Sequence, residues 1–248
     1  MVSRLLKAWG IRVQAAQYLG RRILEAEKSQ SRTAALIDLL IVVAVLVIVK
    51  QSVLQYSVVY AGPASTFTAM AVATFLLYRR GYSWADLGLK WPESWWHTLG
   101  LALLIFIAFL GTVVIFQALA ELFFENIGAS GRFDFVRGNL GAYLLVMALV
   151  WTHGSFFEEL LFRAFIITKS EGALGGTRIA SIAAVVLAAI FFGYRHYYYQ
   201  GMHGAIVTGG IGLVFGLIYL KIGRQNILPL VIVHGVANTI AQTNRFLS

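Results

Sequence analysis

Seven long apolar stretches alternate with short polar segments along the chain. They span approximately residues 34–59, 64–78, 97–119, 140–168, 179–194, 205–220 and 229–243. Most approach the roughly 17 to 25 residues that a helix needs to cross ~30 Å of hydrocarbon. The pattern therefore predicts an all-α, polytopic membrane bundle of about seven to eight transmembrane helices.

Residues 1–32 follow a different pattern. They are basic, and apolar side chains recur there at steps of three or four residues, as in Leu6, Trp9, Val13, Ala16, Leu19 and Ile23. This arrangement predicts an amphipathic helix that lies on the membrane surface. We therefore expect a basic N-terminal segment over residues 1–32 and a single intramembrane domain over residues 33–248.

Composition agrees with a membrane location. The 248 residues are 59% hydrophobic and only 12% charged, whereas charged residues make up about a quarter of soluble domains. The formal charge of +9 is concentrated in the first 32 residues and in short loops. Such a distribution indicates contact with anionic lipid rather than with nucleic acid. We expect an integral protein of the bacterial inner membrane with its N-terminus in the cytoplasm. The absence of cysteine excludes thiolate nucleophiles and Cys-ligated metals.

The apolar stretch 140–168 contains three ionisable residues: Glu158, Glu159 and Arg163. Charges at membrane depth are costly unless they are paired or hydrated, and they often mark function. On an α-helix, Glu159 and Arg163 stand four residues apart and can form an ion pair. Glu158 is turned about 100° away, so it needs a different partner.

Two further pairs of polar or aromatic residues interrupt apolar stretches. Phe192 and His196 stand four apart at the end of the fifth stretch, and His234 and Asn238 share a face of the seventh. Together with Glu158, these residues could supply a general base that activates water and donors for a developing oxyanion. Peptide hydrolysis by water requires those two functions.

Other interpretations of these residues stay open. No His-Glu-x-x-His run occurs, yet Glu158, His196 and His234 could form a zinc site across helices. Ser155 lacks the Gly-x-Ser-x-Gly frame of a nucleophile. Each polar group could also be only a contact between helices. Three histidines stand at no informative spacing and are interpreted as structural: His97, His153 and His203.

The three motifs together resemble the CAAX-protease and bacteriocin-processing family of intramembrane endopeptidases. Its pattern is Glu-Glu-x-x-x-Arg, then Phe-x-x-x-His, then His-x-x-x-Asn, and the resemblance covers roughly residues 140–243. It implies a glutamate-dependent protease without a metal or organic cofactor. By this resemblance Glu158 and His196 activate water, and His234 and Asn238 stabilise the oxyanion. The remaining motif residues, Glu159, Arg163 and Phe192, would hold the site together.

The residues after the second motif depart from the family. Arg195 precedes His196, and three tyrosines follow His196. Because of this departure, the resemblance does not define the side of the site that contacts the substrate. The resemblance implies a membrane-associated, lipidated (CaaX-like) or leader-bearing peptide as substrate. Two alternatives remain: a non-catalytic membrane scaffold or immunity protein of the same superfamily, or a proton-coupled transporter that uses Glu158, His196 and His234 as a relay.

Helix geometry adds one expectation. A straight fifth helix that begins at Arg178 would carry His196 about 27 Å along its axis, much farther than Glu158 lies from the end of its own helix. We therefore expect the fifth helix to start later, to tilt, or to break near Gly193.

Overall fold

The computed structural model describes residues 32–126 and 131–248, and every regular element in these two ranges is helical. Short 3-10 turns occupy Trp84–Leu87 and Gly131–Val136. The α-helices of the described ranges are α1 Arg32–Leu54, α2 Val58–Arg79, α3 Trp95–Glu121, α4 Leu140–Trp151, α5 Ile167–Ala173, α6 Arg178–Ile218 and α7 Leu228–Leu247. The predicted all-α class is confirmed. The amphipathic helix predicted for the N-terminus falls outside the described residues.

Five helical segments of the described ranges are long and apolar enough to cross a membrane: α1, α2, α3, Leu140–Ala173 and Arg178–Gly223. The outer face of α3 shows why a membrane is needed, since Leu103, Leu104 and Val114 are each at least 63% exposed. A contiguous apolar surface of this kind is stable only against lipid or protein. Helix α7, predicted as the seventh span, begins with Pro229 in its first turn but is not among these five.

One buried ion cluster joins the first two membrane helices to α5. Asp38 of α1 is completely buried, and its carboxylate lies 3.0 Å from Arg80 at the end of α2 and 3.0 Å from Lys169 of α5. Pairing offsets the cost of removing this charge from water. The acidic residue in the first apolar stretch therefore fixes how these helices pack.

The segment from α4 to α5 is not a uniform α-helix. It becomes π-helical over Thr152–Phe157 and again over Glu159–Ile166, and all residues of the second π segment are buried. A π-helix closes its hydrogen bonds between residues i and i+5, and such segments are frequent at functional sites. His153, Gly154 and Ser155, three polar or small residues within the fourth apolar stretch, lie in the first π segment.

Helix α6 folds back on itself. Gly201 adopts φ 62° and ψ −168°, a conformation that favours glycine, and the chain reverses there. A Cβ at residue 193 would lie 2.4 Å from the carbonyl oxygen of Ala205, although twelve residues of straight helix span about 18 Å. The helix begins at Arg178 and continues through Gly193. Of the three options expected from the sequence, the later start and the break near Gly193 are not found, because Gly193 serves close packing and the turn comes at Gly201. A tilt of the helix stays a prediction.

The small residues of the sixth apolar stretch allow the two arms of α6 to pack closely. A Cβ at residue 212 would lie 3.3 Å from the Cα of Ala189, and one at residue 216 would lie 2.7 Å from Val185 Cγ1. Gly212 and Gly216, four residues apart, therefore form a ridge of small residues for close helix packing. This hairpin carries the second motif on its first arm, against the π-helical segment.

Candidate active site

Glu159 lies at the centre of a buried three-residue contact. Its Oε1 is 3.2 Å from Nη1 of Arg163 and 2.7 Å from Nδ1 of His234. Glu159 is completely buried and Arg163 is 1% exposed. The ion pair with Arg163 was predicted from the spacing, whereas the contact with His234 was not. Glu159 therefore orients the imidazole of another helix, as carboxylates orient metal-binding and catalytic histidines elsewhere.

Phe192 covers this contact. The guanidinium of Arg163 lies 4.3 Å from the centroid of the Phe192 ring, within the range of a cation–π interaction. The Phe192 ring also packs edge-on toward His234, with the centroids 6.3 Å apart. The aromatic residue of the second motif thus contacts residues of both other motifs.

Glu158 has a partner that the sequence analysis missed. Its Oε1 lies 3.5 Å from Nε2 of His153, five residues earlier in the same segment. On an α-helix, residues five apart lie on different faces. In a π-helix the backbone hydrogen bonds join residues i and i+5, so side chains five apart lie closer together. The π-helical geometry therefore brings His153 beside Glu158. The interpretation of Glu158 as lacking a partner on its own helix was wrong, whereas a structural role for His153 stays a prediction.

The imidazole of His196 is oriented by its own helix. Nδ1 lies 2.8 Å from the carbonyl oxygen of Phe192. A carbonyl oxygen only accepts, so Nδ1 carries the proton and a neutral ring keeps its lone pair on Nε2. Nε2 is therefore the nitrogen of His196 that remains for chemistry.

Asn238 is attached to the π-helical segment. One N–H of its amide donates to the carbonyl oxygen of Gly154 at 3.3 Å. The second N–H and the amide oxygen have no such contact among the described residues. Because His234 stands one helical turn earlier on α7, both side chains reach the same region of the bundle.

A polar cavity of about 460 Å³ brings these residues together. Its lining includes Glu158, His196, His234 and Asn238, and it also includes His153. Glu159 and Arg163 lie behind the lining rather than in it. The four residues that the sequence singled out for catalysis thus border one common space. Of the three that it assigned to structure, Phe192 also lines the cavity.

One side of the polar cavity is positively charged. We call Lys50, Arg132 and Arg195 the cationic wall; all three line the cavity together with Tyr198 and Tyr199. The sequence analysis noted only the Arg195 context as unusual. Lys50 could have been recognised from the sequence as well, because it is a lysine within the first apolar stretch.

Two other candidate chemistries find less support in the geometry. Within residues 32–126 and 131–248, no three His, Cys, Asp or Glu side chains come together as a metal-binding group. The trio Glu158, His196 and His234 is therefore not arranged as a zinc site. Ser155 is completely buried and donates to the carbonyl oxygen of Val150 at 2.8 Å, which makes it part of the helix rather than a nucleophile.

Comparison with known proteins gives one match. Residues 140–240 match a protein family described as type II CAAX prenyl endopeptidase, Rce1-like. The matched range contains all seven motif residues, from Glu158 to Asn238. No curated protein and no solved structure matches the chain.

Proposed function

We propose that this membrane protein, whose residues 140–240 match the Rce1-like family of type II CAAX prenyl endopeptidases, is a glutamate-dependent intramembrane endopeptidase. Its substrate is a membrane-associated, lipidated (CaaX-like) or leader-bearing peptide. The observation that carries the proposal is the polar cavity, in which Glu158, His196, His234 and Asn238 come together from three helices.

Glu158 is the proposed general base. It borders the cavity at 5% exposure and is not held by the Arg163 ion pair, so its carboxylate remains able to take a proton. His196 presents Nε2 as an acceptor that orients the attacking water. In the proposed reaction the water oxygen attacks the peptide carbonyl carbon while its proton passes to Glu158. The same proton then goes to the leaving amine as the C–N bond breaks.

Asn238 and His234 are the proposed oxyanion donors. Asn238 has a second amide N–H beyond the one that it donates to Gly154. His234 donates from Nδ1 to Glu159, so it donates from Nε2 as well only when the ring carries both protons. The stabilisation of a developing oxyanion by such donors is a large catalytic contribution.

Glu159, Arg163 and Phe192 have a supporting role in this proposal. Their mutual contacts hold the His234 ring at a fixed angle behind the cavity. The basic segment over residues 1–32 is proposed to bind anionic lipid at the cytoplasmic face of a bacterial inner membrane.

A cleavage assay with the purified protein in liposomes tests this function. The substrates are a farnesylated CaaX-type peptide and a peptide with a bacteriocin-type leader, and both fragments are identified by mass spectrometry. We expect the wild type to cut one of them at a single bond. Glu158→Gln keeps the size of the side chain but removes the base, and should lower kcat about 10²–10⁴-fold. An equal rate in Glu158→Gln would show that another group is the base. A folded wild type that cuts neither peptide would favour the non-catalytic scaffold.

A further inference from the structure

The connections between the membrane helices meet at two opposite faces of the bundle. We call the face that holds the start of α1 the lower face. The end of α2 and the helix α5 lie there as well, because Asp38 pairs with both Arg80 and Lys169 at 3.0 Å. The connection before α7 joins them, since the N–H of Ile227 donates to the carbonyl oxygen of Gly88, between α2 and α3, at 3.0 Å.

The opposite ends of these helices meet at what we call the upper face. Arg132, in the connection between α3 and α4, donates to the carbonyl oxygen of Val59 at the start of α2, at 2.9 Å. In the same connection the N–H of Gly138 donates to the carbonyl oxygen of Phe246, at the end of α7, at 3.0 Å. The turn of α6 also lies on this side, because the guanidinium of Arg132 is 4.7 Å from the ring centroid of Tyr199.

The polar cavity extends from the catalytic residues to the upper face. The start of α2, the connection before α4, the turn of α6 and the end of α7 all contribute to its lining, with Val59, Gly62, Phe133, Gln200, His203 and Arg245. Of the described residues, none in the lower-face connections 80–94, 174–177 and 224–227 lines the cavity. The catalytic residues are therefore reached from the upper face.

Packed side chains close the cavity toward the lower face. Every residue from Glu158 to Glu171 is buried, and Phe162 and Phe165 belong to this layer. At its lower end Glu171 pairs with Arg224 of the connection before α7. The layer separates Glu158 from the lower-face connections, so water and a peptide would enter from the upper side.

Lysine and arginine residues are concentrated at the lower face. Its helix ends and connections contain Arg32, Arg79, Arg80, Lys90, Arg178, Lys221 and Arg224. Residues 1–32, which lead into α1, are basic as well. The connections and helix ends of the upper face contain Arg132, Arg137 and Arg245. Two further basic residues toward this side, Lys50 and Arg195, are buried within helices. An excess of lysine and arginine in the connections marks the cytoplasmic side of a membrane protein.

We propose that the lower face is cytoplasmic and that the catalytic cavity opens on the outer side of the membrane, where it takes an exported peptide or a peptide segment that projects from a membrane protein. This inference rests on the proposed endopeptidase function, because it names the side from which that site receives its substrate. A leader-bearing peptide that has crossed the membrane fits this arrangement, whereas a lipidated protein whose CaaX-type end stays in the cytoplasm does not. The cut then follows translocation of the substrate.

Single cysteines test which side of the membrane each face contacts, since the chain contains no cysteine of its own. Ala237→Cys reports the cavity lining, Arg137→Cys the upper face and Lys221→Cys the lower face. Val236→Cys is the matched control, because Val236 is the neighbouring residue on α7 and is exposed on the outside of the bundle. The full-length variants are produced in a bacterial host, and spheroplasts are treated with a membrane-impermeant maleimide before and after permeabilisation.

We expect the cysteines at positions 137 and 237 to be labelled in intact spheroplasts. The cysteine at position 221 should be labelled only after permeabilisation, and the lipid-facing cysteine at position 236 in neither case. Labelling of position 237 only after permeabilisation would place the opening on the cytoplasmic side and would overturn the inference. A cysteine at position 237 that stays unlabelled throughout would also overturn it, because the cavity would then not be open to water.

Membrane vesicles of known orientation connect accessibility with the reaction. A peptide with a bacteriocin-type leader, too polar to cross the bilayer, is added to right-side-out and to inverted vesicles that contain the wild type or Glu158→Gln. We expect wild-type cleavage in right-side-out vesicles and its loss in inverted vesicles until detergent opens them, with Glu158→Gln inactive in both. Cleavage confined to inverted vesicles would overturn the inference and leave the endopeptidase proposal intact. The labelling needs no turnover, so the expected labelling in a protein that cuts nothing would support the outward opening while the proposed function fails.

Discussion

Nε2 of His153 lies 3.5 Å from Oε1 of Glu158, and the two residues stand five apart in a π-helical segment. Glu158 is the proposed base, and His153 is its polar neighbour within the same segment. Replacement by alanine removes this neighbour while Glu158 remains in the cavity. We expect His153→Ala to lower kcat about tenfold, equivalent to about 1.4 kcal/mol, with a smaller change in KM. Steady-state kinetics in liposomes measures both constants.

His97→Ala is the control for that experiment. His97 is exposed in the first turn of α3, so its replacement should leave both constants unchanged. If His153→Ala is folded and has the kcat of the wild type, the contact with Glu158 has no part in the reaction.

The relation between His153 and Glu158 also marks the limit of what the sequence could predict. Hydropathy was sufficient for the all-α class, because each apolar stretch must satisfy its own backbone hydrogen bonds in lipid and therefore becomes a helix. The Glu159–Arg163 contact was predictable, because both residues belong to one short segment. The contact between His153 and Glu158 was not predictable from α-helical spacing, because it depends on the π-helical geometry of the segment.

Contacts between helices were the other part that the sequence left open. The contact of His234 with Glu159 joins residues 75 positions apart, and no periodicity relates them. The same holds for Lys50 and Arg195, which are 145 positions apart. The sequence analysis could select polar residues at membrane depth as candidates, but which of them meet depends on the packing of the hairpin α6 and of α7.

Because Glu159 forms a buried ion pair with Arg163, replacement of Glu159 should lower the stability of the protein as well as its activity. Glu159→Gln leaves the buried Arg163 without its carboxylate, and removal of one partner of a buried pair costs about 3–5 kcal/mol. We expect a clear decrease of the unfolding midpoint in detergent, together with lower activity because His234 loses its acceptor. Glu158→Gln should change activity with a much smaller effect on the midpoint.

A double variant separates the two roles of Glu159. Glu159→Leu with Arg163→Met removes both charges and should recover most of the stability. Activity should stay low, because His234 Nδ1 still lacks the carboxylate. Full activity in the double variant would contradict a positioning role for Glu159.

Because the two arms of α6 pack closely, adding one methyl group at Gly193 should strongly lower the stability of the protein. A Cβ at residue 193 would lie 2.4 Å from the backbone oxygen of Ala205, whereas one at residue 209 would have its nearest neighbour at 3.5 Å. We expect Gly193→Ala to destabilise the protein by about 1–3 kcal/mol, since the two arms must move apart. Thermal unfolding in detergent measures the difference, and Gly209→Ala serves as the matched control. Equal midpoints for the two variants would mean that the arms are not packed as described.

Chelation tests whether the reaction depends on a metal. Glu158, His196 and His234 are all chemically able to bind zinc, yet the described residues do not bring three such ligands together. In the proposed reaction Glu158 takes the proton of water directly, so no ion is needed to lower the pKa of that water. We therefore expect cleavage by the wild type to be unchanged after incubation with 1,10-phenanthroline and dialysis, with thermolysin inactivated in parallel as the positive control. Loss of cleavage that zinc restores would assign these residues to a metal site and would replace the glutamate mechanism.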